Sequence, residues 1–235
     1  MTPRALAGRT ALVTGGSRGI GRAVAELLAA AGARITMLAR DADALQRVAG
    51  ELGARAIPCD VGIEEDIDRA LEVLGETAPD ILVNNAGLFQ PRPLDETSPA
   101  ALAAALEVNL VAPFRLVHAI VPKMRARGSG DIVSIGSIAD HQTFPGNAAY
   151  GASKHGLRAL HDVMRTELRG TGIRVTLISP GPVDTSLWDE IDPDSREGFT
   201  PRSRMLAPNA VAAAVLFAVS QPPDVDIELV RLSRS

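Results

Sequence analysis

Aromatic side chains are scarce in this chain of 235 residues: five phenylalanines, one tyrosine and one tryptophan, 3% of the whole. Hydrophobic residues nevertheless make up 46%, enough apolar surface for a substantial core, so that core must be aliphatic and rich in alanine. Cysteine occurs once, at Cys59. That excludes an internal disulfide, and no cluster of cysteine and histidine points to a metal. A strong excess of either charge is also missing. The formal net charge of -4 gives no electrostatic reason to expect nucleic acid or an anionic membrane as partner. No apolar run reaches the ~20 residues of a membrane span. The stretch 1–9 is short, polar and charged, unlike a secretory leader. The expectation is a soluble cytoplasmic protein forming a single domain over residues 1–235.

What is present is an alternation of two patterns. Short apolar runs at 10–14, 34–39, 55–58, 80–83, 131–135, 173–178 and 225–232 predict strands. Segments 22–31, 43–52, 64–74, 99–116 with its continuation 111–125, 148–169 and 208–220 predict helices. Gly53 is a helix stop, and Pro113 and Pro122 predict starts or kinks within the long helical stretch. Strands alternating with helices predict an α/β fold of the Rossmann type, doubly wound, with a mostly parallel sheet and helices on both faces. The stretch 186–206 is irregular, charged and proline-containing. A loop of that length in a compact domain predicts a function, here a substrate lid.

The first strand runs straight into Gly15-Gly16-Ser17-Arg18-Gly19-Ile20-Gly21 and an alanine-rich helix. Glycines let the backbone turn tightly and approach a pyrophosphate, and the helix start offers free N–H groups. The spacing, T-G-x-x-x-G-x-G from Thr14, differs from the G-x-G-x-x-G pattern. The second strand ends at Ala39-Arg40, with Asp41 beyond. An acidic residue there would bond the adenosine ribose and repel a 2′-phosphate. Arg40 and Arg18 could instead grip such a phosphate, which favours NADP(H) over NAD(H), with Asp41 as the opposing signal. Asp60, followed by Val61, suits either an adenine contact or a cap for the next helix. Asn85, Ala86 and Gly87 follow Asn84 after the fourth strand, where carboxamides can tie strands together and line a cofactor crevice.

Tyr150 and Lys154 stand four residues apart at the start of a helix, so both project from one face. A phenol normally loses its proton near pH ~10, and a nearby ammonium favours the phenolate. Ser137, at the carboxyl end of the fifth strand, can donate a hydrogen bond to a substrate oxygen. Asn109 is a poor residue for the middle of a helix, which suggests a structural or water-holding role. The turn Pro180-Gly181-Pro182-Val183-Asp184-Thr185 follows the sixth strand.

Together, Thr14 to Gly21, Asn84 to Gly87, Asn109, Ser137, Tyr150 with Lys154, and Pro180-Gly181 resemble the short-chain dehydrogenase/reductase family over nearly the whole chain. The resemblance implies a seven-stranded sheet. It implies Tyr150 as the acid that protonates a carbonyl oxygen, and as the base in reverse. Lys154 would lower the tyrosine pKa and hold the nicotinamide ribose, Ser137 would position the substrate oxygen, and Asn109 would hold a water of the proton relay. Gly15, Gly19 and Gly21 match the phosphate loop, with Ser17, Arg18 and Ile20 between them. Asp60 and Val61 match the adenine contact, and Asn85, Ala86 and Gly87 lie beside the cofactor. Pro180, Gly181 and Val183 lead to Thr185, which matches the contact to the nicotinamide carboxamide. Family members are usually homotetramers or homodimers packed through two long helices.

The resulting reading is an NADP(H)-dependent oxidoreductase that interconverts a ketone or aldehyde and an alcohol. A second reading is a regulator that binds NADPH and catalyses little, since fold alone does not fix function. For the substrate, His141, Gln142, Phe144, Asn147, Trp188 and Phe199 are candidate contacts, with ordinary loop packing as the alternative. Arg196, Arg202 and Arg204 could attract an acidic acyl-carrier protein, making this a 3-oxoacyl reductase. Asp189, Glu190, Asp192 and Asp194 in the same loop offset that charge.

Overall fold

The computed structural model describes residues 5–235. The strands are β1 (Thr10–Thr14), β2 (Arg34–Ala39), β3 (Arg55–Pro58), β4 (Ile81–Asn84), β5 (Gly130–Ile135), β6 (Ile173–Pro180) and β7 (Leu229–Leu232). They form one seven-stranded sheet in the order β3-β2-β1-β4-β5-β6-β7. Every pairing is parallel, where the sequence predicted a mostly parallel sheet. The helices are α1 (Gly19–Ala30), α2 (Ala42–Leu52), α3 (Glu64–Leu74), α4 (Pro99–Leu106), α5 (Ala112–Arg127), α6 (Ala148–Leu168) and α7 (Pro208–Val219).

The apolar runs are continuous because both faces of the sheet are covered. Side chains of β1 alternate between two cores. Ala11 and Val13 pack with Leu28 of α1, Leu45 of α2 and Val215 of α7. Leu12 faces the other way, toward Ile67 of α3, Leu116 of α5 and Met164 of α6. All of these are aliphatic or sulfur-containing, as the shortage of aromatics required. The order of strands reverses between β1 and β4, so a crevice opens above their carboxyl ends.

Three boundaries differ from expectation. Helix α1 begins at Gly19 because the end of the glycine loop forms its first turn. Strand β7 spans only the second half of 225–232. The first half is held by side chains, with Arg165 paired to Asp226 and Glu228 and Arg174 donating to the Val225 carbonyl. The long helix is interrupted by a wider π turn at Glu107–Val111. Pro113 has no N–H for the carbonyl of Asn109, and the Ala112 N–H bonds five residues back to Glu107. The stretch Pro99–Arg127 is long and apolar enough to cross a membrane by length and composition alone. Here it packs one side against α3, α6 and β5, with 33% of its apolar window buried.

Candidate active site

A cleft of about 1390 Å³ lies over the carboxyl ends of the central strands. One end is the glycine loop. Gly15 and Gly19 have φ of +68° and +57°, conformations that side chains with a Cβ rarely adopt. Gly21 lies behind the cleft, where an added Cβ would stand 2.2 Å from the Gly15 carbonyl oxygen. Helix α1 has no side-chain cap and no acidic residue in its first turn, and Ser17, Arg18, Gly19 and Ile20 at its start line the cleft. Thr185 leans over the loop, its Cγ2 3.2 Å from where a Cβ on Gly19 would be. A shallow backbone cradle with free donors and no anion of its own fits a pyrophosphate.

At the adenosine end, Arg40 extends into solvent with its guanidinium 3.8 Å from the Asp60 carboxylate. Asp41, the opposing signal in the sequence, accepts the Ala44 N–H at 2.9 Å and caps α2. The alternative role of Asp60 as a cap is not found. Ile63 holds the cap position of α3, and Asp60 accepts the Gly62 N–H at 2.9 Å instead. Val61, Ala86, Gly87, Pro180, Gly181 and Val183 all line the cleft. Asn85 ties β4 to β1, its amide donating to the Thr14 carbonyl at 2.8 Å.

At the other end Ser137, Tyr150 and Lys154 come together. Ser137 opens a short turn, Ile138–Asp140, and its hydroxyl accepts the Ala139 N–H at 3.2 Å. Tyr150 and Lys154 occupy one face of α6, with the Lys154 Nζ 5.7 Å from the centre of the Tyr150 ring. Lys154 is 4% exposed and donates to the Ile135 carbonyl at 2.8 Å. Burial lowers its pKa to about 8, with Asp140 working in the opposite direction. The net shift at Tyr150 runs upward, opposite to the downward pull expected of Lys154: burial pushes it above its ordinary value, the Ser137 hydroxyl pulls it back, and Asp140 raises it further. The ammonium donates to a backbone carbonyl while lying over the Tyr150 ring.

Asn109 sits in the π turn, and its side chain is a clamp. Its oxygen accepts the Leu88 N–H at 2.7 Å, and its nitrogen donates to the Leu88 carbonyl and to Ser153 Oγ, both at 2.9 Å. The Ser153 hydroxyl then donates to the Tyr150 carbonyl at 2.7 Å. Asn109 therefore fixes the loop after β4 against the helix that carries Tyr150.

The substrate candidates divide. Phe144, Asn147, Trp188 and Phe199 line the cleft. Gln142 does not and belongs to a shallower neighbouring depression. His141 is turned away, its Nδ1 2.6 Å from Asp140. Two residues escaped the sequence reading. Phe89 packs edge-on against Tyr150, with centroids 4.7 Å apart. Asp140 is a buried carboxylate that accepts from Ser137 and Ser179 behind the reacting groups. A lone aromatic in a loop and an acid after a serine carry no periodic signal. Of the lid arginines, Arg202 is engaged by Asp184, Asp189 and the Thr185 carbonyl. The C-terminal Arg234 donates to the Ser203 and Met205 carbonyls and ties the tail to the lid's end.

Residues 9–196 match the family model of short chain dehydrogenases. An uncharacterized oxidoreductase of Staphylococcus aureus strain N315 is 31% identical over 227 residues, 94% of this chain and 95% of that one. Carbonyl reductase family member 4 of Xenopus laevis is 34% identical over 213 residues, 89% of this chain and 90% of that protein. A metagenomic short-chain oxidoreductase crystallised in complex with NADP superimposes with a TM-score of 0.84 at 32% identity, covering 98% of this chain and 99% of that one.

Proposed function

The chain belongs to the short-chain dehydrogenase/reductase family, and on that premise we propose that it interconverts a ketone or aldehyde and the corresponding alcohol, with NADP(H) as the hydride partner. The observation that carries this reading is the convergence of Ser137, Tyr150 and Lys154 at one end of a cleft whose other end is a glycine cradle. A bound nicotinamide supplies or accepts the hydride. Tyr150 gives its phenolic proton to the carbonyl oxygen in reduction and takes it back in oxidation. Ser137 donates a hydrogen bond to the same oxygen. Lys154 keeps a positive charge behind Tyr150 and steadies the phenolate that forms. Asn109 holds the loop and helix in register through Leu88 and Ser153.

NADP(H) over NAD(H) is supported by Arg40 and Arg18 at the adenosine end and by the commitment of Asp41 to its helix cap. The NADP complex of the structural relative points the same way. Association into a homodimer or homotetramer through α5 and α6 is supported by Phe114 and Val163, 51% and 52% exposed on those helices. A 3-oxoacyl-carrier-protein substrate draws mixed support from the lid, since Arg202 is paired with Asp184 and Asp189 while Arg196 and Arg204 are exposed.

The test is cofactor oxidation by the purified protein with a panel of ketones, aldehydes and 3-oxoacyl thioesters, run with NADPH and NADH in parallel. Turnover is expected, faster with NADPH. Tight NADPH binding without turnover on the whole panel would instead favour the regulator.

A further inference from the structure

We propose that the substrate is an apolar, ring-bearing carbonyl compound, an aryl ketone or aldehyde, held in an aromatic chamber that Phe89, Trp188 and Phe199 build beside Tyr150. The inference rests on the oxidoreductase reading and names the substrate class for that same site.

The chain has seven aromatic residues, and five of them line this one cleft. Four form a continuous series of edge-to-face contacts. Phe199 meets Trp188 at 6.2 Å between centroids, Trp188 meets Phe89 at 5.2 Å, and Phe89 meets Tyr150 at 4.7 Å. The two large cores of the fold are built without a ring, so packing alone does not demand aromatics. The chain spends them where the reacting carbonyl must come.

The series is anchored at Trp188. The Trp188 Nε1 donates to the Val183 carbonyl at 2.9 Å, and Ile191 and Met205 close over its far side. The last ring abuts the phenol itself, so a substituent on a carbonyl bonded to Tyr150 lies against Phe89. An aryl group there extends an existing edge-to-face series, a geometry aromatic pairs favour.

The polar groups are arranged the other way round. Arg92 and Arg196 line the cleft but are exposed at its mouth, whereas Phe89 and Phe199 are half-buried and Trp188 is buried. Asn147, Ser186 and Thr200 offer a sugar acid a few half-buried partners, but its remaining hydroxyls would stand against ring carbon, where a polar group without a partner is unfavourable. A thioester of an acidic carrier protein would draw on the lid arginines, of which Arg202 is held by Asp184 and Asp189, Arg204 lies outside the cleft lining and Arg196 alone stands exposed at its mouth.

The experiment compares NADPH oxidation with propiophenone, 2-butanone, 5-ketogluconate and acetoacetyl thioester. It is run on the wild type, Phe89→Ala and the milder Phe89→Leu. Saturable quenching of the single tryptophan, Trp188, by 1-phenylethanol is measured beside it. The expected result is a kcat/KM for propiophenone at least about tenfold above that for 2-butanone. Phe89→Ala should erase that preference mainly through KM, with Phe89→Leu between the two and the quenching weakened in parallel. Highest turnover with ketogluconate or the thioester, or equal turnover of the two ketones in all three proteins, would overturn the proposal. Should no carbonyl be reduced, the oxidoreductase reading fails by itself and the fluorescence decides. Quenching that Phe89→Ala removes then upholds an aryl-binding chamber, and no quenching in the wild type disposes of it.

Discussion

The carboxylate of Asp140 accepts the backbone N–H of Ser137 at 3.2 Å, so a buried acidic side chain fixes the serine that lines the cleft beside Tyr150. The same carboxylate also meets Ser179, His141 and Arg158, and it raises the pKa of both Tyr150 and Lys154. Asp140→Asn keeps the shape and removes the charge. Both pKa values should then fall, moving the alkaline limb of the kcat/KM profile to lower pH. Arg158 would lose its only carboxylate partner among the described residues, 3.5 Å away in the native protein, and stability should drop by about 2 kcal/mol. A pH–rate series and a urea titration read the two effects separately.

Tyr150→Phe removes the proton donor and leaves the ring against Phe89. Turnover should fall by about 10²–10⁴ or more, while the affinity for NADPH, measured by fluorescence titration, stays within a few-fold. Substantial residual turnover would mean that another group protonates the carbonyl.

Lys154→Met should separate stability from activity. The lysine is buried and its pKa is lowered from 10.5 to about 8, so the folded state holds the charge at an expense of roughly 3 kcal/mol. Losing the bond to the Ile135 carbonyl offsets about 1 kcal/mol of the relief. The variant should therefore be inactive and about 1–2 kcal/mol more stable at pH 7. The sign with pH follows. Between about 8 and 10.5 the unfolded lysine keeps its proton and the folded one has lost it, so wild-type stability should rise across that window. In the methionine variant that rise should vanish, which thermal melts at a series of pH values would show.

Arg40→Ala should lower kcat/KM for NADPH by about 10–100-fold and leave NADH within about threefold. Equal losses with both cofactors would place Arg40 in the general structure of the site rather than at a 2′-phosphate.

Gly21→Ala puts a methyl group 2.2 Å from the Gly15 oxygen and 2.5 Å from the Asn85 amide. The first is backbone, and the second is the Asn85 side-chain nitrogen, which is tied to the Thr14 and Gly15 carbonyls and so is not free to swing away. A loss of about 3 kcal/mol or more is expected, with NADPH binding weakened in step, checked by chemical denaturation with and without cofactor.

Much of this fold was legible because it rests on local signals. The apolar run of β1, the glycines at 15, 19 and 21, and the four-residue step from Tyr150 to Lys154 each state their conformation within a few neighbours. Less legible were features made by distant residues. Asn109 suggested a structural or water-holding role in the sequence, but only the fold brought Leu88 and Ser153 to its amide. Its π turn was foreshadowed by Pro113, but only as a kink. His141 looked suited to substrate and turned instead to Asp140, since a buried carboxylate beside it attracts the ring more strongly than an open cleft does.

By itself the sequence determined the α/β alternation, the phosphate loop, and the Ser137, Tyr150 and Lys154 set, because hydrophobic period and backbone freedom are properties of short segments. Tertiary structure alone decided which way the charges and rings face. It committed Asp41 to a cap and turned Lys154 to a carbonyl. It gathered Phe89, Trp188 and Phe199 from loops roughly a hundred residues apart. Desolvation and ring packing act through space, so no pattern along the chain records them.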